Sequence, residues 1–148
     1  RESLLARAPL PPEQIHAMPV EETDLVAATQ RYARTLRELA GDPPQIDLVH
    51  LGLGPDGHTA SLVPGDPVLG VTDVDVALTG ATYQSRRRMT LTYPVLDRAR
   101  QILWVVTGAE KVDALRKLQA ADVSIPGARI TQANALVLAD ADAAAGLA

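Results

Sequence analysis

The chain has 148 residues, 47% of them hydrophobic and 22% charged, with a formal net charge of -4 and no cysteine. That length can bury a sizeable core in one domain. The missing cysteine excludes disulfides and thiolate chemistry and suits a reducing cytoplasm. The negative charge argues against a general nucleic-acid binder, no apolar run reaches the ~20 residues of a membrane-spanning helix, and three His without Cys disfavour a structural zinc site.

Phe is absent, so Ala, Val, Leu and Ile must build the core. No basic segment followed by an apolar stretch opens the chain, and no secretory signal is expected. Arg1-Glu2-Ser3-Leu4-Leu5 reads as the middle of a helix with no capping signal before it. The expectation is the later part of a longer protein. Pro9, Pro11 and Pro12 end that helical piece in a stiff link. Residues 24–40 then carry Leu25, Ala28, Tyr32, Leu36 and Leu39 at helical spacing on one face. Thr23 is the expected N-cap. Gly41 and Pro43-Pro44 stop the helix.

Ile46 to Leu53 is short, apolar and bounded by turn residues, as a buried strand is. His50 lies on that pattern and is expected to be a hydrogen-bonded core residue, while His16 lies in the proline-rich link. A second, weaker strand is predicted over Val74 to Leu78, a third over Arg88 to Thr92 and a strongly apolar one over Ile102 to Val106. After Gly108, residues Ala109, Val112, Leu115 and Leu118 mark a helix face. Leu136 to Leu138 reads as a last short strand, followed by an Ala-rich helical end. Strands alternating with helices imply an α/β layer fold with a mostly parallel sheet. Ligands of such sheets sit beyond the carboxyl ends of strands, which selects residues 54–61 and 107–111. With no internal repeat and no linker, one domain over 1–148 is expected.

The first of those loops contains Gly52, Gly54 and Gly57, a literal G-x-G-x-x-G, and Asp73 and Asp75 follow about twenty residues on. A dinucleotide fold needs a full helix straight after the glycines. Pro64, Gly65 and Pro67 leave room for about two turns at most, and Pro55 removes a backbone donor. The other reading is a catalytic loop. Asp56 and His58 stand two apart, and a carboxylate beside an imidazole can fix its tautomer and raise its basicity. A bare turn with an exposed His is the third reading.

The segment Asp47-Leu48-Val49-His50-Leu51-Gly52-Leu53-Gly54-Pro55-Asp56-Gly57-His58-Thr59-Ala60-Ser61-Leu62-Val63-Pro64-Gly65 resembles the signature of the 6-phosphogluconolactonase family nearly end to end. The related glucosamine-6-phosphate deaminases share Gly-x-Asp-Gly-His but continue into Asn-Glu-Pro, where this chain has Thr59-Ala60-Ser61. Val63 stands where the lactonases usually carry Phe. Arg88-Met89-Thr90-Leu91-Thr92 resembles the family's Arg-x-Thr-Leu-Thr strand, and Gly108-Ala109-Glu110-Lys111 its Gly-x-x-Lys turn. The family's opening Gly-Gly-Ser/Thr-Pro loop and its Asp-Glu-Arg segment are not found.

The resemblance implies a three-layer Rossmann-like fold and hydrolysis of 6-phospho-D-glucono-1,5-lactone, with no metal and no cofactor required. It implies a catalytic pair His58 and Asp56, and substrate binding by Gly54, Gly57, Arg88 and Lys111, the two cations holding the phosphate. The expected partner is a small phosphorylated sugar lactone, not nucleic acid or a membrane. Lys111 has an argument of its own. It falls at the start of a helix, where the macrodipole disfavours a cation by a few tenths to about 1 kcal/mol, and a bound phosphate would reverse that sign. For Arg86 to Arg88 the bland reading is a solvated charge cluster. A deaminase or isomerase of the same fold and a non-catalytic sugar-phosphate- or dinucleotide-binding module remain the alternatives.

Overall fold

A computed structural model describes residues 7–83 and 85–147; the helix expected over Arg1 to Leu5 lies outside them. Helix α1 spans Leu25–Ala40 and ends at Gly41. Its cap is Asp24, one residue beyond the expected Thr23. The Asp24 carboxylate accepts from the Ala27 amide at 2.9 Å, a bond Thr23 stands too early to make. Ala28 is buried, and Tyr32, Ala33 and Leu36 pack beside it against Val76 and Met89. That cluster ends at Leu36. Leu39, expected on the same face, is 62% exposed in the last turn.

Strands β1 (Leu48–Leu51), β4 (Gln101–Val106) and β5 (Ala135–Ala139) form a parallel sheet in the order β1-β4-β5. The strands β2 (Val76–Leu78) and β3 (Met89–Leu91) pair antiparallel in a second, two-stranded sheet against α1. The parallel character expected from the alternation therefore belongs to three strands. The short helix α2 covers Tyr93–Asp97 and α3 covers Val112–Gln119. The helix expected from Ala109 begins as a 3-10 turn, Ala109–Lys111, and the Ala-rich end is a 3-10 turn at Ala143–Gly146.

The core lies on one face of the parallel sheet. Val49, Leu51, Ile102, Trp104 and Val106 meet Leu96, Leu115, Leu118 and Ile130 there. Full burial of one such Leu side chain contributes about 1.5–3 kcal/mol. The opposite face carries Leu48, Val105, Leu136 and Leu138, all exposed. His50 shares it. β1 is an outer strand whose burial alternates, so His50 points to the open face and is not the core residue its apolar neighbours suggested.

The two sheets are joined by a charge clamp. The buried Asp75 carboxylate, at the start of β2, pairs with Arg37 of α1 at 2.7 Å and with Arg98 after α2 at 2.9 Å. Arg98 also donates to the Pro44 carbonyl at 3.1 Å. Replacing Asp75 by Asn should lower the folding free energy by about 2–3 kcal/mol. That is below the ~3–5 kcal/mol of a fully buried pair, because both guanidiniums keep contact with water. Urea unfolding measures the loss, and a change indistinguishable from zero would mean the clamp contributes nothing.

Candidate functional site

Parallel pairing brings the carboxyl ends of β1, β4 and β5 to one edge. Three loops leave from there: residues 52–60, 107–111 and 140–146. Asp140 ties two of them together, accepting from the Gly108 amide at 3.0 Å and from the Ala143 amide at 2.8 Å.

The glycine loop is a sequence of tight turns. The Gly57 amide donates to the Gly54 carbonyl at 2.9 Å, and the Gly54 amide to the His58 carbonyl at 2.8 Å. The Thr59 hydroxyl, buried, donates to the Gly52 carbonyl at 2.8 Å. No helix follows the glycines; the chain turns through Ala60 and Gly65 into a 3-10 turn at Pro67–Gly70. Asp75 is engaged by two arginines. The helix that a dinucleotide site needs is therefore missing, and one of its two candidate acids is already paired.

Asp56 and His58 meet. The ring Nδ1 lies 2.6 Å from Asp56 Oδ1, and the His58 amide donates to the same oxygen at 3.1 Å. Gly54 makes the contact possible: a Cβ there would stand 2.1 Å from His58 Nδ1 and 2.6 Å from Asp56 Oδ1. With Nδ1 held by a carboxylate, Nε2 is left as the basic nitrogen.

Lys111, mostly buried, lines the same cleft as His58, together with Gly52, Gly54, Thr59 and Ala60. Its ammonium lies 3.6 Å from Glu110, a loose pair. Lys111 occupies the N-cap position of α3, as its place after Gly108 suggested. Arg88 does not join it. It lines a neighbouring cavity with Ser61, Tyr83, Arg86 and Arg87, and its guanidinium lies 5.7 Å from the Tyr83 ring centre. Ala60 lines the first cavity and its chain neighbour Ser61 the second.

Two residues, Tyr83 of that second cavity and its partner Asp66, were not singled out from the sequence. Tyr83 donates through its hydroxyl to Asp66 at 3.1 Å. Asp66 is buried and also accepts from the amides of Val68, Gly80 and Ala81 at 2.8, 2.9 and 3.0 Å. Burial pushes its carboxyl up, but these four donors outweigh that and hold it below the usual range. Only the Asp-Pro at 66–67, a cap of the following turn, could have signalled it. Among the described residues no group of three or more His, Cys, Asp or Glu could hold a metal ion, and no helix is long and apolar enough to cross a membrane.

Comparison with known proteins adds a relationship to this geometry. The family described as glucosamine-6-phosphate isomerases/6-phosphogluconolactonase matches residues 1–138. A rat 6-phosphogluconolactonase is 39% identical over 138 residues, which are 88% of this chain and 52% of that protein. The 6-phosphogluconolactonase of Mycobacterium tuberculosis is 39% identical over 158 residues, covering 99% of this chain and 64% of the relative. The crystal structure of the Thermotoga maritima 6-phosphogluconolactonase superposes with a TM-score of 0.79 at 29% identity, over 93% of this chain and 61% of the other. The chain thus spans between half and two thirds of the length of these relatives.

The acid limb of stability follows from Asp56. Burial pushes its carboxyl up, yet the hydrogen bonds from the His58 ring and amide and the imidazolium charge outweigh this and hold it below 3.8. A carboxyl depressed in the folded state stabilises fully above its unfolded value and loses that contribution as pH falls through the folded value. The stability difference between the native chain and Asp56→Asn should therefore shrink as pH falls below the usual carboxylate range. Urea unfolding at a series of pH values tests this; a difference that grows in acid contradicts it.

Proposed function

This chain belongs to the glucosamine-6-phosphate isomerase/6-phosphogluconolactonase family, and on that premise we propose that it is the later part of a sugar-phosphate-binding lactonase domain. The reaction is hydrolysis of 6-phospho-D-glucono-1,5-lactone to 6-phospho-D-gluconate, in the cytoplasm. The observation that carries the reading is the Asp56–His58 contact of 2.6 Å in a cleft that Lys111 also lines.

Each group then has a task. Asp56 holds the His58 proton on Nδ1, so Nε2 takes a proton from water as the water oxygen bonds to the lactone carbonyl carbon. Loop amides at the carboxyl edge are suited to receive the oxyanion. When the tetrahedral intermediate collapses, the bond from that carbon to the ring oxygen breaks, and the ring oxygen takes the proton from His58. The lactone is an activated ester, which suits one base acting with backbone donors. Lys111, set against the macrodipole of α3, supplies positive charge beside His58 and gains most when an anion is present. Arg88 extends that field from the second cavity, which Ser61 also lines. The continuation Thr59-Ala60-Ser61 supports the lactonase over a deaminase; release of ammonia from glucosamine 6-phosphate would reverse that preference.

His58→Asn should fold normally and lose about 10²–10⁴-fold in kcat, the usual cost of removing a general base. Turnover equal to the native chain, after subtraction of spontaneous hydrolysis, sinks the assignment.

Lys111→Ala and Arg88→Ala should each raise KM for the phosphorylated lactone by about 10- to 100-fold, the value of a hydrogen bond to a charged group. Turnover of unphosphorylated gluconolactone should change little. Equal losses on both substrates contradict a phosphate role.

A further inference from the structure

Behind the Asp56–His58 pair stands a support that the proton transfers themselves do not use. Tyr93, the first residue of α2, is buried, and its hydroxyl donates to the Pro126 carbonyl at 3.1 Å. Burial pushes that hydroxyl's pKa up to about 12, so it remains a donor through the neutral range. The Pro126 carbonyl and the Gly127 N–H lie on one planar peptide unit. The Gly127 N–H donates to the Gly57 carbonyl at 2.9 Å. The Gly57 carbonyl in turn shares a peptide plane with the His58 N–H, which donates to Asp56 Oδ1 at 3.1 Å. That oxygen is the one in contact with the imidazole.

Packing leaves the two planes little freedom. A Cβ on Gly127 would stand 2.9 Å from the Leu53 side chain and 3.3 Å from the Gly57 carbonyl oxygen. Ile125 fills the space where a side chain on Gly57 would go, with its Cβ 2.4 Å from that position. Rotation of either plane would break the bond at its far edge, because a peptide unit turns as a rigid body.

We propose that Tyr93 is a positioning residue for His58, acting through the Pro126–Gly127 and Gly57–His58 peptide planes to hold the imidazole on Asp56. The inference rests on the reading of His58 as the general base. Its structural core, the orientation of the ring, does not depend on turnover.

The test is Tyr93→Phe, which keeps the ring and removes the one donor. Val95→Ala serves as control, since Val95 is fully buried in the same helix and supplies none of the hydrogen bonds of this relay. The nitrogen NMR shifts of the His58 imidazole report which ring nitrogen carries the proton. In Tyr93→Phe the single Nδ1-protonated form should give way to a mixture, with kcat reduced about 3- to 10-fold and KM within about twofold of native, the effect of one hydrogen bond felt in the transition state. Val95→Ala should lower Tm and leave the imidazole shifts and kcat as they are. Native shifts and native kcat in Tyr93→Phe overturn the proposal, whatever its Tm. So does a change of the imidazole in Val95→Ala as large as in Tyr93→Phe. If the native protein turns over no lactone but Tyr93→Phe still disturbs the imidazole, the functional reading falls and the relay stands.

Discussion

The Gly127 amide and the Gly57 carbonyl meet at 2.9 Å, and the geometry of the carboxyl edge depends on that bond. The loop that carries Asp56 and His58 leaves the sheet at Leu51 and makes only two backbone hydrogen bonds across its own tip. A loop so lightly tied would sample many arrangements. Its far side is pinned because residues 125–127 reach it from another part of the chain, and Tyr93 pins those residues in turn. A half-exposed carboxylate and imidazole can then keep one geometry without being buried themselves.

Charge is arranged against the overall sign of the molecule. The chain is net acidic, yet its cleft and the adjoining cavity collect Lys111, Arg86, Arg87 and Arg88. The lysine and the arginine segment are held by different parts of the fold. Lys111 sits where the end of β4 turns into α3, and Asp140 fixes that turn from the end of β5. Arg88 sits on the antiparallel pair, whose connection is held by Asp66 through Gly80, Ala81 and Tyr83. Asp66 follows shortly after the glycine loop. One buried carboxylate therefore fastens the arginine segment to the chain that leaves His58.

Asp75 plays the corresponding part at the other end of the small sheet. Its two arginines come from α1 and from the end of α2. Both buried carboxylates pay their desolvation cost by accepting from several donors at once, which is the condition under which a buried charge is tolerated. The division of labour is clear in their partners: Asp66 takes backbone amides and a phenol and shapes a loop, whereas Asp75 takes guanidiniums and joins elements.

Local pattern carried a good deal of this. The spacing of Leu25, Ala28, Tyr32 and Leu36 made a helix legible, the apolar runs at 46–53 and 102–106 marked strands, and Gly54-Pro55-Asp56-Gly57-His58 marked the loop where chemistry resides. Those features depend on residues a few positions apart, so the chain itself determines them. Other features join residues far apart, and only tertiary structure decided them. His50 turned outward because it alternates with the buried Val49 and Leu51 on the exposed face of the parallel sheet, and periodicity alone does not reveal that this face is open. Arg88 and Lys111 line separate cavities because β3 belongs to the small antiparallel sheet and β4 to the parallel one. Whether Asp56 touches His58 depended on a glycine packed under both. The Tyr93, Pro126, Gly127 and Gly57 relay spans three segments that meet only in the packed fold, and a hydrogen bond between distant backbone groups leaves no side-chain pattern by which the sequence could announce it.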